Sequence, residues 1–246
     1  MRIRHVFLIP AVLLVMFTIP AAAQDFQREF TLPSGASIGI RNIAGDIKVA
    51  GYDGTSIVVM ATKQGRDRDR VSIVDASGDD DINVYVDYPR SGNIQASVEF
   101  ELLVPRKVPY DFEEISSVSG DVSFASIAGQ IHTQSVSGAI EIRDVAGSCT
   151  ASSVSGDVLV RITQNPGAVS MKFASVSGDV TVLAPPDLDA YVDMSTVSGM
   201  IWTNFPIRIS GRWPFWGRSA RGRLGRGTAT LKMSSVSGRL SLLVNH

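Results

Sequence analysis

The run that decides the fold is Ser117-Val-Ser-Gly-Asp-Val-Ser-Phe-Ala-Ser-Ile-Ala-Gly-Gln-Ile131, continued by Ser135-Val-Ser-Gly-Ala-Ile140, Asp144-Val-Ala-Gly-Ser-Cys149 and Ser153-Val-Ser-Gly-Asp-Val158. Each hexapeptide, including Ser126-Ile-Ala-Gly-Gln-Ile131 inside the first run, starts nine residues after the one before. Three more copies follow at Ser175-Val-Ser-Gly-Asp-Val180, Thr196-Val-Ser-Gly-Met-Ile201 and Ser235-Val-Ser-Gly-Arg-Leu240, with an outlying relative at Asn42-Ile-Ala-Gly-Asp-Ile47. A fixed period of this kind predicts stacked supersecondary units. Apolar residues fall at positions 2, 6 and usually 8, with Gly at position 4, which is the period of two of a half-buried strand. Nine is odd, so inward parity is reset once per repeat, by a corner at positions 9 and 1 or at the glycine.

Copies with Ser-Val-Ser-Gly at 117, 135 and 153 alternate with Ile-Ala-Gly or Val-Ala-Gly copies at 126 and 144, which makes the unit 18 residues and two strands. The later spacings of 22, 21 and 39 are one such coil plus insertions of 4, 3 and 21. The expectation is an all-β chain: a parallel β-solenoid of about six coils over 116–246, roughly 25 to 30 Å long at the strand spacing. Interior Val and Ile ladders supply the burial that offsets chain ordering. Cys149 occupies position 6, where other copies carry Val, Ile or Leu, and reads as a small buried hydrophobe. The repeat serines, such as Ser117, Ser119, Ser135, Ser137, Ser153 and Ser155, read as outward or corner hydroxyls that cap backbone groups.

Residues 24–115 differ, with longer alternating stretches such as Ser56 to Ala61, Ile82 to Asp87 and Ala96 to Val104 between turn clusters. No convincing amphipathic helix follows residue 23. A solenoid's first coil exposes an unpaired edge, so this segment is expected to cap it.

Residues 1–23 place Arg2 and Arg4 before an apolar run from Val6 to Ile19, then Pro20 and Ala21-Ala22-Ala23. That is a signal peptide with cleavage expected after Ala23, and the run is shorter than the ~20 residues of a spanning helix. No transmembrane segment is expected after cleavage, and the chain is expected in the periplasm or at the cell surface. Loss of Arg2 and Arg4 leaves 21 basic against 24 acidic residues, so only a local patch could hold a charged partner, and no specific nucleic acid is expected. One cysteine excludes an internal disulfide and a cysteine-pair zinc site.

The run Glu101-Leu-Leu-Val-Pro105, then Phe112-Glu-Glu-Ile-Ser-Ser-Val-Ser-Gly-Asp-Val122 and its serial copies, with Ile43-Ala-Gly-Asp-Ile-Lys-Val49 upstream, resembles the bacterial putative-adhesin domain of unknown function. That family comprises exported β-strand-repeat proteins. The resemblance covers nearly all of the chain after the leader. It implies a β-helical fold and an envelope or surface location, and it brings no catalytic residues.

The most conspicuous chemistry lies in the segment 204–230. Arg208, Arg212, Arg218, Arg221, Arg223 and Arg226 are interleaved with Trp213, Phe215 and Trp216, and no acid occurs from Asn204 to Gly227. Guanidinium forks match carboxylates and phosphates, and indole faces stack on sugars. The expected ligand is an anionic envelope glycan or lipid headgroup, or another envelope protein. The competing reading is structural, with the aromatics packed on the solenoid and the arginines solvated or paired with acids of the N-terminal half.

Other patterns dissolve on inspection. A calcium-binding β-roll needs two glycines and an aspartate in every nonapeptide, whereas position 5 here reads Asp121, Gln130, Ala139, Ser148, Asp157. Gly35-Ala-Ser37-Ile-Gly39 matches a serine-hydrolase elbow on paper but lies in an alternating β run. Asp121, Asp157 and Asp179 share one motif position, the single feature that keeps a carbohydrate-active β-helix enzyme in view. The expectation is a non-enzymatic adhesin-like binding or scaffold module without metal or cofactor, or else a structural or envelope-stress accessory with no specific ligand.

Overall fold

A computed structural model describes residues 24–90, 92–210 and 217–245, so the expected leader and its cleavage point at Ala23 lie outside the described residues. The N-terminal part forms β1 (Phe26–Phe30), β2 (Ser37–Arg41), β3 (Ile47–Tyr52), β4 (Ile57–Gly65), β5 (Ser72–Asp75), β6 (Asp81–Asp87) and β7 (Ala96–Pro105). The regular repeats form β8 (Tyr110–Ser117), β9 (Val122–Ala125), β10 (Gly129–Ser135), β11 (Ile140–Arg143), β12 (Cys149–Ser153), β13 (Val158–Arg161), β14 (Ser170–Ser175) and β15 (Val180–Ala184). The last third forms β16 (Ala190–Thr196), β17 (Ile201–Thr203), β18 (Arg208–Ser210), β19 (Arg218–Leu224), β20 (Ala229–Ser235) and β21 (Leu240–Val244). Among the described residues the one helical element is a 3-10 turn at Arg68–Arg70.

These strands make two sheets. One has ten strands in the order β1-β4-β7-β3-β9-β11-β13-β15-β21-β17, and the other eleven in the order β18-β19-β16-β20-β14-β12-β10-β8-β2-β6-β5. From β7 to β17 the chain alternates between them, so each motif copy there begins at the end of one sheet and closes by entering the other. Partners in the regular region are 18 residues apart, as in Ile140↔Val158 and Ile131↔Cys149. The inner faces meet in one apolar core containing Phe112 and Phe124, whose rings stand edge to face at 6.0 Å, and the fully buried Phe100 and Phe173. Cys149 is buried in that core and its thiol is pushed up to about 12 by desolvation, as befits a packing residue.

The Ser-Val-Ser-Gly corner is turned by its first serine. Ser135, Ser153 and Ser175 are buried, and their hydroxyls accept the amide protons of Gly138, Gly156 and Gly178 at 3.0, 2.9 and 2.9 Å. The same hydroxyls of Ser153 and Ser175 donate to the carbonyls of Gly138 and Gly156 in the adjoining layer at 3.2 and 3.0 Å. Position 4 must be glycine because a Cβ at Gly156 would land on the carbonyl oxygen of Gly138 one layer away. The alternate corner is built differently: Ser126 and Asp144 adopt left-handed φ values of 56° and 53°.

One sequence expectation is reversed here. Position 2 was expected inside, yet Val118, Val136, Val154, Val176 and Val236 are 42–46% exposed along the convex corner. The first serines of the Ser-Val-Ser-Gly copies are the corner hydroxyls that cap backbone groups, one of the two readings of the repeat serines, while Ser119, Ser137 and Ser155 are exposed.

Layer order also departs from chain order. β16 and β17 occupy the far end, and β20 and β21 return to fill the place between them and β14–β15, with Val180 and Ile201 both paired to Leu240. The copies at 175 and 196 are therefore not neighbours, as a sequential stack requires. The N-terminal end mirrors this, since β2 and β3 lie between β6–β7 and β8–β9. The Asn42–Ile47 relative of the motif thus sits within the stack, with Ile47 opposite Val122. Antiparallel strands close three of the four sheet ends: β4 and β1, β5, and β19 with β18. These ends are short edge strands of three to five residues, which limits the unpaired backbone that would recruit other chains. The fourth end is the three-residue β17.

Candidate functional site

The arginine-rich segment builds the cover at the far end. β19 runs antiparallel to β16, and β18 runs antiparallel to β19 with Arg208 opposite Arg221. Arg221 donates to Asp193 at 3.0 Å, and that bond and charge hold the guanidinium firmly protonated. Arg226 lies 3.4 Å from Asp189, whose carboxylate also accepts the amides of Gly227 and Thr228 and the Thr228 hydroxyl at 2.6, 3.0 and 2.9 Å. The backbone amide of Thr228 is the main reason that the Asp189 carboxyl falls from 3.8 to about 2. Two of the six arginines are therefore tied to acids of the neighbouring strand and its turn, not to acids of the N-terminal half. Arg208 and Arg223 are exposed and carry no acid partner among the described residues. Arg212, Trp213, Phe215 and Trp216 lie outside the described residues.

Arg218 goes elsewhere. With Met200, Ile201, Trp202, Arg239, Ser241 and Leu243 it lines a cavity of about 590 Å³ at the open end of the ten-stranded sheet. Trp202 is 66% exposed and Met200 52%, so an open indole shares this cavity with two arginines. Sequence reasoning singled out Arg218 but missed Arg239. The signal was in the motif: position 5 of the last two copies reads Met200 and Arg239, where the copies at 117, 153 and 175 carry Asp.

The outer face of the eleven-stranded sheet carries a second pattern. Pairing register aligns Arg208, Arg221, Asp193, Lys232, Lys172 and Thr150 in one row across β18, β19, β16, β20, β14 and β12. On the other side of β12 come His132, and then Glu113 and Glu114 of β8 with Asp111 beside them. Partial burial, and after it the Glu113 charge, push the Asp111 carboxyl up. One end of this face is basic and the other acidic.

The remaining candidates are structural. Asp121, Asp157 and Asp179 each accept the amide of the next layer, from Ala139, Asp179 and Arg239 at 2.8, 2.8 and 2.7 Å. Ser37 stands in β2 and donates to Glu113 at 3.1 Å. Gly78 donates its amide to Asp81 in a turn at 3.2 Å. No group of three metal-ligating side chains occurs among the described residues. The valine row borders a shallow groove of about 560 Å³. No helix of the described residues is long and apolar enough to cross a membrane.

Comparison with known proteins agrees with this architecture. A putative cell adhesion protein from Clostridium sporogenes superposes with a TM-score of 0.53 at 12% identity, covering 89% of this chain and 99% of that one. A putative adhesin from Bacteroides fragilis gives a TM-score of 0.43 at 14% identity over 88% and 96% of the two chains. A putative lipid binding protein from Parabacteroides distasonis gives 0.36 at 14% identity over 90% and 96%. The first of these likenesses speaks for the fold. No curated protein matches the chain significantly. The model of the Toastrack DUF4097 family matches residues 17–208, and this chain, with its two stacked sheets and serial glycine corners, belongs to that family.

Proposed function

We propose that this protein is an exported, non-enzymatic, adhesin-like binding or scaffold module of the bacterial cell envelope, and that its recognition element is the far end of the stack. The observation that carries the reading is the exposed Trp202 in a cavity of about 590 Å³ that Arg218 and Arg239 also line. An indole plane offers stacking to a sugar ring, and two guanidinium forks match the carboxylate or phosphate attached to it. The ligand chemistry is an anionic envelope glycan or a lipid headgroup. Arg208 and Arg223 add positive potential at the same end. The C. sporogenes protein of this fold is named for cell adhesion, which fits the reading.

The aspartate row argues against a carbohydrate-active enzyme, because Asp121, Asp157 and Asp179 are occupied with backbone amides of the next layer. A purely structural accessory role is favoured by one observation, the ion pairs that tie Arg221 and Arg226 to β16 and its turn. Trp202 fluorescence separates the two, in a variant where Trp213 and Trp216 are replaced by Phe. Titration with anionic phospholipid vesicles, or with soluble acidic envelope polysaccharide, is expected to shift the emission saturably. Arg218→Ser with Arg239→Ser abolishes the shift. An unchanged spectrum with both probes would leave the structural role.

A further inference from the structure

We propose that the outer face of the eleven-stranded sheet is a homodimer interface, on which a second copy of this chain lies face to face and antiparallel along the stack, about a two-fold axis running along β12. This goes beyond the binding site above, whose cavity is lined by Trp202 and its neighbours on the ten-stranded sheet and by Arg218 at the end of β19. The inference starts from the position of β12, the sixth of the eleven strands. Rotation about an axis along it reverses the stack and keeps each outward row over itself. β8 then faces β20 of the second copy, β10 faces β14, β2 faces β16, and β6 faces β19.

The charges obey that symmetry. Glu114 on β8 falls opposite Lys232 on β20, and Asp81 on β6 opposite Arg223 on β19. Thr150 and Ser152 meet their own counterparts at the axis, where small polar side chains allow close approach. Within one copy these charges cannot neutralise each other. β8 and β20 are separated by β10, β12 and β14, a distance of about 19 Å at the strand spacing, well over the ~10 Å screening length at moderate salt. The acidic end retains excess charge even though Arg41 lies 3.5 Å from Glu114. Acid gathered at one end and base at the other leaves a face complementary to itself only when inverted, which is the condition for an isologous pair.

The size is sufficient. Eleven strands at about 4.8 Å, each showing about six residues at about 3.3 Å, present roughly 1,000 Å² per copy, against the ~800 Å² per partner of a stable complex. Such a dimer leaves the Trp202 cavities open at opposite ends, so one particle could hold two surfaces with the avidity of linked sites.

Charge reversal tests the pairing. Analytical ultracentrifugation of the protein is expected to show a dimer that weakens as salt rises. Glu114→Lys alone and Lys232→Glu alone are each expected to sediment as monomers, since like charges then face one another twice. An equimolar mixture of these two variants restores the dimer, because every contact across the axis becomes opposite in sign. The double variant in one chain does the same. A monomeric wild-type protein at all concentrations, reversed variants that dimerise like wild type, or a mixture that stays monomeric would each overturn the proposal. None of these results depends on Trp202, Arg218 or Arg239, so the envelope-binding reading stands or falls separately.

Discussion

The hydroxyl oxygen of Ser153 lies 2.9 Å from the amide nitrogen of Gly156 and accepts its proton, closing a corner that recurs layer after layer through the stack. Ser153 is buried, so removing its oxygen leaves the Gly156 amide without a partner. Ser153→Ala is expected to cost about 1–3 kcal/mol, measured by urea unfolding. Gly156→Ala is expected to cost about 3 kcal/mol, because the new methyl meets the Gly138 carbonyl, a backbone atom held by the next layer. That corresponds to a melting point lower by roughly 6–12 °C. Val154→Ser, on the exposed side of the same corner, should change stability by less than about 0.5 kcal/mol.

Asp157 separates a structural from a catalytic role. Its carboxylate accepts the Asp179 amide at 2.8 Å, and an asparagine oxygen can do the same. Asp157→Asn should therefore be nearly neutral in melting point, while Asp157→Ala should lose about 0.5–1.5 kcal/mol. A row of catalytic acids would show the opposite ranking, with Asn as damaging as Ala in a glycan-cleavage assay and neither affecting stability.

Asp189 gives the far end a defined acid sensitivity. Its carboxyl is depressed from 3.8 to about 2, so its contribution is fully present above pH 3.8, declines as pH falls, and is gone below pH 2. Melting points of wild type and Asp189→Asn should differ by a constant amount at neutral pH and converge across that window. A difference that persists unchanged to the lowest pH would show that the carboxylate charge is not what holds the turn at Gly227 and Thr228.

Cys149 should behave as core. With its thiol pushed up to about 12 by burial, it should resist a thiol-specific reagent in the native protein and react on unfolding, at a rate set by denaturant. Rapid labelling of the native chain would contradict the packing of β12.

Much of this architecture was legible because the motif has a period. The 18-residue unit appears directly as the Ile140↔Val158 register. Val118 was read the wrong way round for a physical reason: period-two alternation assigns a valine to the inside, but a convex corner turns it out and draws in the Ser117 hydroxyl that caps the turn. The exchange of the last layers was illegible, since Leu240 and Ile201 are chemically equivalent partners for Val180 and nothing in their side chains ranks them. The proposed site was half legible. Arg218 stood out by composition, whereas Arg239 looked like an ordinary motif residue until the fold set it beside Trp202. Arg221 and Arg226 stood out equally, and Asp193 and Asp189 across the strand pairing account for them.

The most direct test of the binding account is co-sedimentation of the purified protein with isolated cell envelopes over a salt series, beside Trp202→Ala and the Arg218→Ser, Arg239→Ser double variant. The account predicts saturable binding by wild type that weakens as salt screens the guanidinium contacts, and its loss in both variants with the melting point unchanged. Equal binding by all three proteins, or none by any of them, would contradict it.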